Sequence, residues 1–387
     1  MPFLQIFNAA DLNAAKADMQ APMWHPSQQR RRLLLGGLGG LAGLGGLAGV
    51  SGSAHALPAT TLTFPRDRGS HPDFRTEWWY ITGQAMSSGT ERRQFGFQLT
   101  FFRSRVDGTQ GMTSRFAAKQ LLFAHAAITD VQGQRLWHDQ RIARVGFGVA
   151  SASVQDMAVK LRDWSLKADG THYSANLPAA DFALKLQFAE TQSILLQGQQ
   201  GLSRKGPEEK QTSYYYSQPQ LATHGSLQIK GQTFDITGKA WLDHEWSDEL
   251  LHASAVGWDW IGMNLDDGSA LTAFRLRDKD GHAVWDGGSF RSVSGELRIF
   301  SHGDISFSPV RRWLSPLTQT SYPVEWRIRT PSASYTVKAV IDNQELDSRS
   351  STGSIYWEGL SELQNSQARK IGMGYLEMTG YGQALRL

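Results

Sequence analysis

The chain has 387 residues, among them 13 Trp, 18 Phe and no Cys, and it carries 39 basic against 36 acidic side chains. That length and apolar content suffice for two or three domain-sized cores with a large aromatic share. Lack of cysteine excludes disulfides, thiolate metal sites and a cysteine nucleophile, and the near-balance of charge removes the electrostatic support that nucleic-acid binding needs.

At the N-terminus, Arg30, Arg31 and Arg32 precede an apolar run over residues 33–50, followed by Ser53-Ala54-His55-Ala56. A basic region, an apolar stretch and a small-x-small site describe a cleavable signal over residues 1–56, cut after Ala56. A membrane-spanning helix is the rival, but eight residues of the run are Gly and no basic flank follows it. Paired arginines before a weakly hydrophobic, Gly-rich core resemble a twin-arginine export signal. The expectation is a periplasmic or secreted protein with access to a membrane. Removing residues 1–56 takes away four basic and two acidic residues and leaves 35 against 34, so no strongly anionic partner is expected either.

The rest of the chain predicts strands. Alternation is clear from Phe95, Gly225, Thr233 and Tyr335 onward, with Gly, Asp, Asn and Ser turns between. Only residues 114–126 and 361–369 have a helical pattern, and the Gly/Pro-containing polar stretch 201–211 predicts an exposed loop. A faint duplication runs through the chain. Trp78-Trp79-Tyr80-Ile81 resembles Trp258-Asp259-Trp260-Ile261, and each is followed by a turn and a strand ending at Arg103 or Arg277. Asp130, Gly133 and Trp137 then share their spacing with Asp278, Gly281 and Trp285. Three matches in one order predict an all-β protein of two antiparallel barrels of about 150 residues each, with a seam near residues 240–260.

The chemistry concentrates at that seam. In an extended Trp241-Leu242-Asp243-His244-Glu245-Trp246 segment, Trp241, Asp243 and Glu245 share one face, and Leu242, His244 and Trp246 the other. Trp258 and Trp260 oppose Asp259 in the same way. If the two strands are close, His244 and Trp246 meet either Asp259 or the two indoles. One reading is acid chemistry in an apolar pocket, with a carboxylic acid or imidazolium protonating a double bond and indole faces stabilising the cation. The other is a buried hydrogen-bonded knot that joins the barrels. His244 and Glu245 point apart and match no zincin motif, so no metal is expected. Glu77-Trp78-Trp79-Tyr80 is a second candidate wall, although aromatic strand residues are more often core; Glu358 and Glu377 are weaker candidates, functional or salt-bridged. Neither a Gly-x-Ser-x-Gly elbow nor a phosphate-cradling loop is present, and no cofactor is expected.

These residues, with His71-Pro72, Leu99 to Arg103, Leu265 to Gly268, Ser321-Tyr322-Pro323, Tyr356 to Gly359 and Gly374 to Tyr381, resemble the AttH/CrtC family over residues 64–382. That family includes carotenoid 1,2-hydratase (hydroxyneurosporene synthase) and exported AttH-like proteins. The resemblance implies two tandem lipocalin-like antiparallel β-barrels, over residues 57–247 and 248–387, and a hydrophobic small molecule or lipid as partner. It carries catalytic roles to His244, Trp246 and Asp259, with Asp243 or Glu245 in support, and leaves Trp78, Trp79, Tyr80, Trp258 and Trp260 as ligand-binding residues. If the protein is an enzyme, it is a hydro-lyase or hydrolase. The export signal fits the AttH-like branch, for which the rival function is a non-catalytic carrier or chaperone serving an ABC transporter.

Overall fold

The computed structural model describes residues 57–249 and 251–385; the expected signal, residues 1–56, lies outside them. Among the described residues, no helix is long and apolar enough to cross a membrane. Two antiparallel sheets make up the fold, one of 13 strands within residues 76–247 and one of 10 strands within residues 257–378. The first nearly closes into a barrel, since the strands Gln120–Asp130 and Arg135–Arg144 come round to touch Ala158–Leu161. The change of sheet falls between Ser247 and Gly257.

Both sheets are threaded alike at their centres. Thr76–Ser87 lies between its successor Gln94–Arg105 and the last strand of the first sheet, Gln232–Ser247. Gly257–Leu265 lies in the same way between Ala270–Arg277 and Lys370–Met378. Two of the three sequence matches therefore occupy equivalent places. The third does not: the Asp130 turn joins the third and fourth strands of its sheet, whereas the Asp278 turn joins the second and third of its own. Both are tight turns in which the aspartate accepts backbone N–H groups, and that local requirement is enough to repeat the spacing.

Alternation along the strands produces three cores. Trp79, Ile81, Phe97, Leu242 and Trp246 fill the inside of the first sheet, and Ile261, Met263, Trp326 and Trp357 that of the second. The outer faces pack on each other through a third, aromatic cluster containing Tyr80, Trp241, Trp260, Phe274 and Tyr375. Strands buried on both faces show unbroken burial, as over residues 240–247, which is why the sequence there is apolar on both parities. Residues 114–126 and 361–369 are not helical. The strand Gln120–Asp130 places Leu122, Ala124, Ala126 and Ile128 in the first core at period two, and most of the second stretch belongs to Ser354–Gln364 and the turn after it. Residues 201–211 are only partly an exposed loop: Leu202–Arg204 is a short strand and Lys205 is buried, because its ammonium pairs with Glu245 at 3.0 Å.

Close approach of the two outer faces depends on glycine. A Cβ on Gly96 would lie 2.7 Å from Tyr375 Oη and 2.9 Å from Leu360 Cβ, and one on Gly262 would meet the Trp260 ring at 2.4 Å. Gly96→Val is expected to cost about 1–3 kcal/mol by overpacking this contact, read by urea unfolding; an unchanged midpoint would mean that the sheets separate there without penalty.

Candidate functional site

The residues singled out in the sequence separate into three places. His244, Trp246 and Trp79 point into the first sheet, where Glu77 is the hub. Glu77 Oε2 accepts from Arg103 Nε at 2.7 Å and Ser70 Oγ at 2.8 Å, and His71 N donates to the carboxylate at 3.0 Å. His71 Nδ1 and His244 Nε2 lie 2.8 and 3.0 Å from Glu77 Oε1. The His71 ring stacks on Trp246 at 3.7 Å, and that of His244 on Trp79 at 4.9 Å. Burial opposes the charge on Glu77, but the contacts with His244, His71 and Arg103 outweigh it and hold the carboxyl far below its usual range. The imidazole of His244 is pushed down by burial, with Glu77 pulling the other way. His71, Glu77 and His244 bring ligand-type atoms within 4.8 Å of one another. The Arg103 guanidinium already occupies the second carboxylate oxygen, so the group is built as an ion-paired knot.

Asp259 lies inside the other sheet. It accepts from Arg275 Nε at 2.7 Å and Tyr381 Oη at 2.8 Å, with Arg277 Nε at 3.5 Å. Since His244 and Asp259 face the interiors of different sheets, the structure does not bring His244, Trp246 and Asp259 into one site. Strand alternation is the reason: whichever parity puts Trp241 and Trp260 in the seam sends His244 and Asp259 away from it.

The seam receives Asp243, Glu245, Trp78, Tyr80, Trp258 and Trp260, and with them Glu358 and Glu377. Asp243 accepts from Ser217 Oγ at 2.5 Å, Trp241 Nε1 at 2.7 Å and Tyr215 Oη at 2.9 Å. Trp260 Nε1, from the second sheet, donates to Tyr215 Oη at 3.3 Å. Burial raises the Asp243 carboxyl to about 7 against the pull of those hydrogen bonds. Glu245 accepts from Ser213 Oγ and pairs with Lys205. Glu358 and Glu377 are direct cross-strand partners, and Glu377 is also opposite Trp260. Neither makes an ion pair among the described residues. Burial raises Glu377 to about 7, Trp258 opposing and Asp243 and Glu245 reinforcing, although part of the residue stays in contact with solvent. Burial, then the facing Glu377, pushes Glu358 well above the carboxylate range. Its Oε2 accepts from Gln98 Nε2, and the Tyr80 hydroxyl interacts with the same carboxyl and draws it down against burial, although neither that hydroxyl nor Glu358 Oε1 meets a hydrogen bond of ordinary geometry among the described residues.

The AttH-like family model matches residues 55–381. This chain belongs to the AttH-like family. A solved structure assigned as AttH from Nitrosomonas europaea is 43% identical, with a TM-score of 0.78 over 84% of this chain and 99% of its own. Kievitone hydratase from Nectria haematococca is 13% identical, with a TM-score of 0.61 over 85% of this chain and 98% of its own, a likeness of fold. Among curated proteins, none matches.

In this AttH-like chain the seam holds the arrangement with unmet chemistry. Unlike the Glu77 knot, where every carboxylate oxygen is satisfied, it keeps three carboxyls near one another with their protons favoured. Sequence reasoning centred on residues 241–261 left Glu358 and Glu377 as secondary. The available signal was a glutamate in each of two C-terminal apolar strands with no cation at a position able to pair across.

Proposed function

We propose that this protein binds an apolar small molecule against the seam and adds water to a carbon–carbon double bond in it. The observation carrying this reading is the Glu358–Glu377 pair, opposed on adjacent strands with no cation to neutralise it among the described residues, and beside Trp258, Trp260 and Tyr80. A carboxylic acid kept neutral near pH 7 can donate a proton. Glu358 or Glu377 gives its proton to an alkene carbon, whose π electrons form the new C–H bond. The carbocation left behind faces the indoles. Water then adds to it through oxygen and returns a proton to the carboxylate, so that alkene and water become an alcohol with the acid regenerated. Tyr80 and Asp243 lie within electrostatic reach of the pair and would orient the water. Family membership and the fold shared with a protein named as a hydratase support the class of reaction, and the arginine-led N-terminal segment supports export to a membrane-facing compartment. The second reading, a carrier serving an ABC transporter, uses the same apolar seam without the acids.

Mass spectrometry of molecules co-purified with wild type and with Trp258→Ala tests the binding. An apolar alkene retained by the first and depleted in the second is expected; only water-soluble metabolites would overturn it. Incubating that alkene in heavy-oxygen water separates the two readings. Label in an alcohol product from wild type supports hydration, and retention without label supports the carrier.

A further inference from the structure

We propose that the end of the first sheet formed by residues 106–119 and 145–149 is a docking surface for an anionic lipid bilayer. Large apolar side chains project there, with Met112, Phe116 and Phe147 52, 75 and 55% exposed. Their display is built into the backbone. Phe147 has φ 57°, between Gly146 at 110° and Gly148 at 72°, so an aromatic residue is held in the left-handed region, where bulky side chains are rare. The Phe116 and Phe147 rings stack at 5.7 Å. Arg144 lies over both, at 5.6 and 4.1 Å, and donates through Nη1 to the Phe116 carbonyl at 2.9 Å. An exposed aromatic pair pinned by an arginine has given up the freedom to fold back onto its own protein.

Without residues 1–56 the chain is near neutral overall, 35 basic against 34 acidic, but the charge is unevenly placed at this end, and there it selects the partner. The one acid in residues 106–119, Asp107, is taken by Arg105 at 2.8 Å. Arg115, Lys119 and Arg144 make no ion pair among the described residues. Arg115 and Lys119 also line, with Met112 and Ser114, a hollow of about 480 Å³ beside the aromatic pair, roomy enough for a phosphate headgroup. Aromatic side chains ringed by unpaired cations suit the interface of a bilayer carrying negative lipids, where rings enter the acyl boundary and cations stay among headgroups. A protein partner would need complementary acids and a shaped apolar face. A bilayer needs neither, and Phe116, Phe147 and Met112 are more than half exposed beside a hollow lined by Arg115 and Lys119.

The test uses residues 57–387, because the apolar run at 33–50 would enter a bilayer by itself. Residues 54–387 form one compact unit, and the 43%-identical relative aligns over 99% of its own length with 84% of this chain, so this part folds alone. Co-sedimentation is measured with phosphatidylcholine vesicles and with vesicles containing about one-third phosphatidylglycerol. Wild type is expected to partition roughly tenfold or more into the anionic vesicles, and both Phe116→Ser/Phe147→Ser and Arg115→Glu/Lys119→Glu to lose that gain. All these side chains are exposed, so circular dichroism should be unchanged. Absence of wild-type binding, equal binding to neutral vesicles, or variants that bind like wild type would each overturn the proposal. So would a dimer, seen by sedimentation velocity without vesicle binding, that the phenylalanine variant dissociates.

Discussion

Glu77→Ala is expected to lower the unfolding free energy by about 3–5 kcal/mol, the cost of leaving a buried charge without its partner. Arg103 is buried with Glu77 and has its Nε on the carboxylate. Without Glu77 its other contacts, to the His71 and Phe74 carbonyls and Gln120, remain, but the neutralising charge does not. Ser70 Oγ, the His71 amide and two imidazoles lose an acceptor at the same time. Glu77→Gln keeps an acceptor oxygen and should fall between the alanine variant and wild type. The carboxyl is held below its unfolded value, so its contribution is full above about pH 4.5, declines below it as the unfolded chain takes up the proton first, and is gone once acid protonates the folded carboxyl as well. Urea unfolding of variant and wild type at pH 7 and pH 3 measures both effects. A loss under about 1 kcal/mol at pH 7, in the range of an exposed pair, would show that Glu77 does not hold this end of the sheet together.

Glu377→Gln should behave in the opposite way, stabilising the fold above neutral pH while, if Glu377 is the acid of the pair, slowing any turnover about 10²–10⁴-fold. Folding raises this carboxyl from 4.5 to about 7. A raised acid keeps its proton in the native state after the unfolded chain has lost it, so its effect on stability is favourable below 4.5 and worsens up to about 7. Every tenfold change in proton affinity is worth about 1.4 kcal/mol. Glu377 is partly wetted, and we expect Glu377→Gln to gain on the order of 2 kcal/mol over wild type between pH 4.5 and pH 8, less than a fully dry carboxyl would give. Buried His125 works against this trend, because burial takes its imidazole down to about 3, so that the wild-type fold loses stability as pH falls from 6.5. The difference between variant and wild type at each pH cancels that contribution. Removing a general acid costs about 10²–10⁴ in rate. A variant both more stable at pH 8 and slowed to this extent in the heavy-oxygen assay would show that stability is given up for chemistry at this pair. A flat stability difference across the pH range would mean that Glu377 is ionised in the native protein and cannot act as the acid.

Much of the architecture was legible before folding. Period-two runs beginning at Phe95, Thr233 and Tyr335 are strands, and the repeated Trp78 and Trp258 segments start equivalent central strands of the two sheets. The faces of residues 241–246 are also as alternation predicts, with Trp241, Asp243 and Glu245 in the seam and Leu242, His244 and Trp246 in the first core. The aspartate turns misled, because a turn's chemistry is local and recurs wherever a hairpin needs it. Residues 114–126 misled because a strand next to a long loop shows too few alternations to outweigh its alanines.

By itself, the sequence determined an all-β chain whose Trp78 and Trp258 segments are alike, and these open similarly threaded strands of two antiparallel sheets, since periodicity, turn residues and internal similarity are properties of neighbouring positions. Only the tertiary structure decided which acids are chemically available. Glu77 precedes a tryptophan pair and Glu358 follows a tryptophan, and each sits in an apolar strand. Glu77 meets Arg103 across the sheet, while Glu358 meets Glu377. A carboxyl's ionisation is set by its dielectric and by the sign of the nearest charge, and both come from residues distant in the chain.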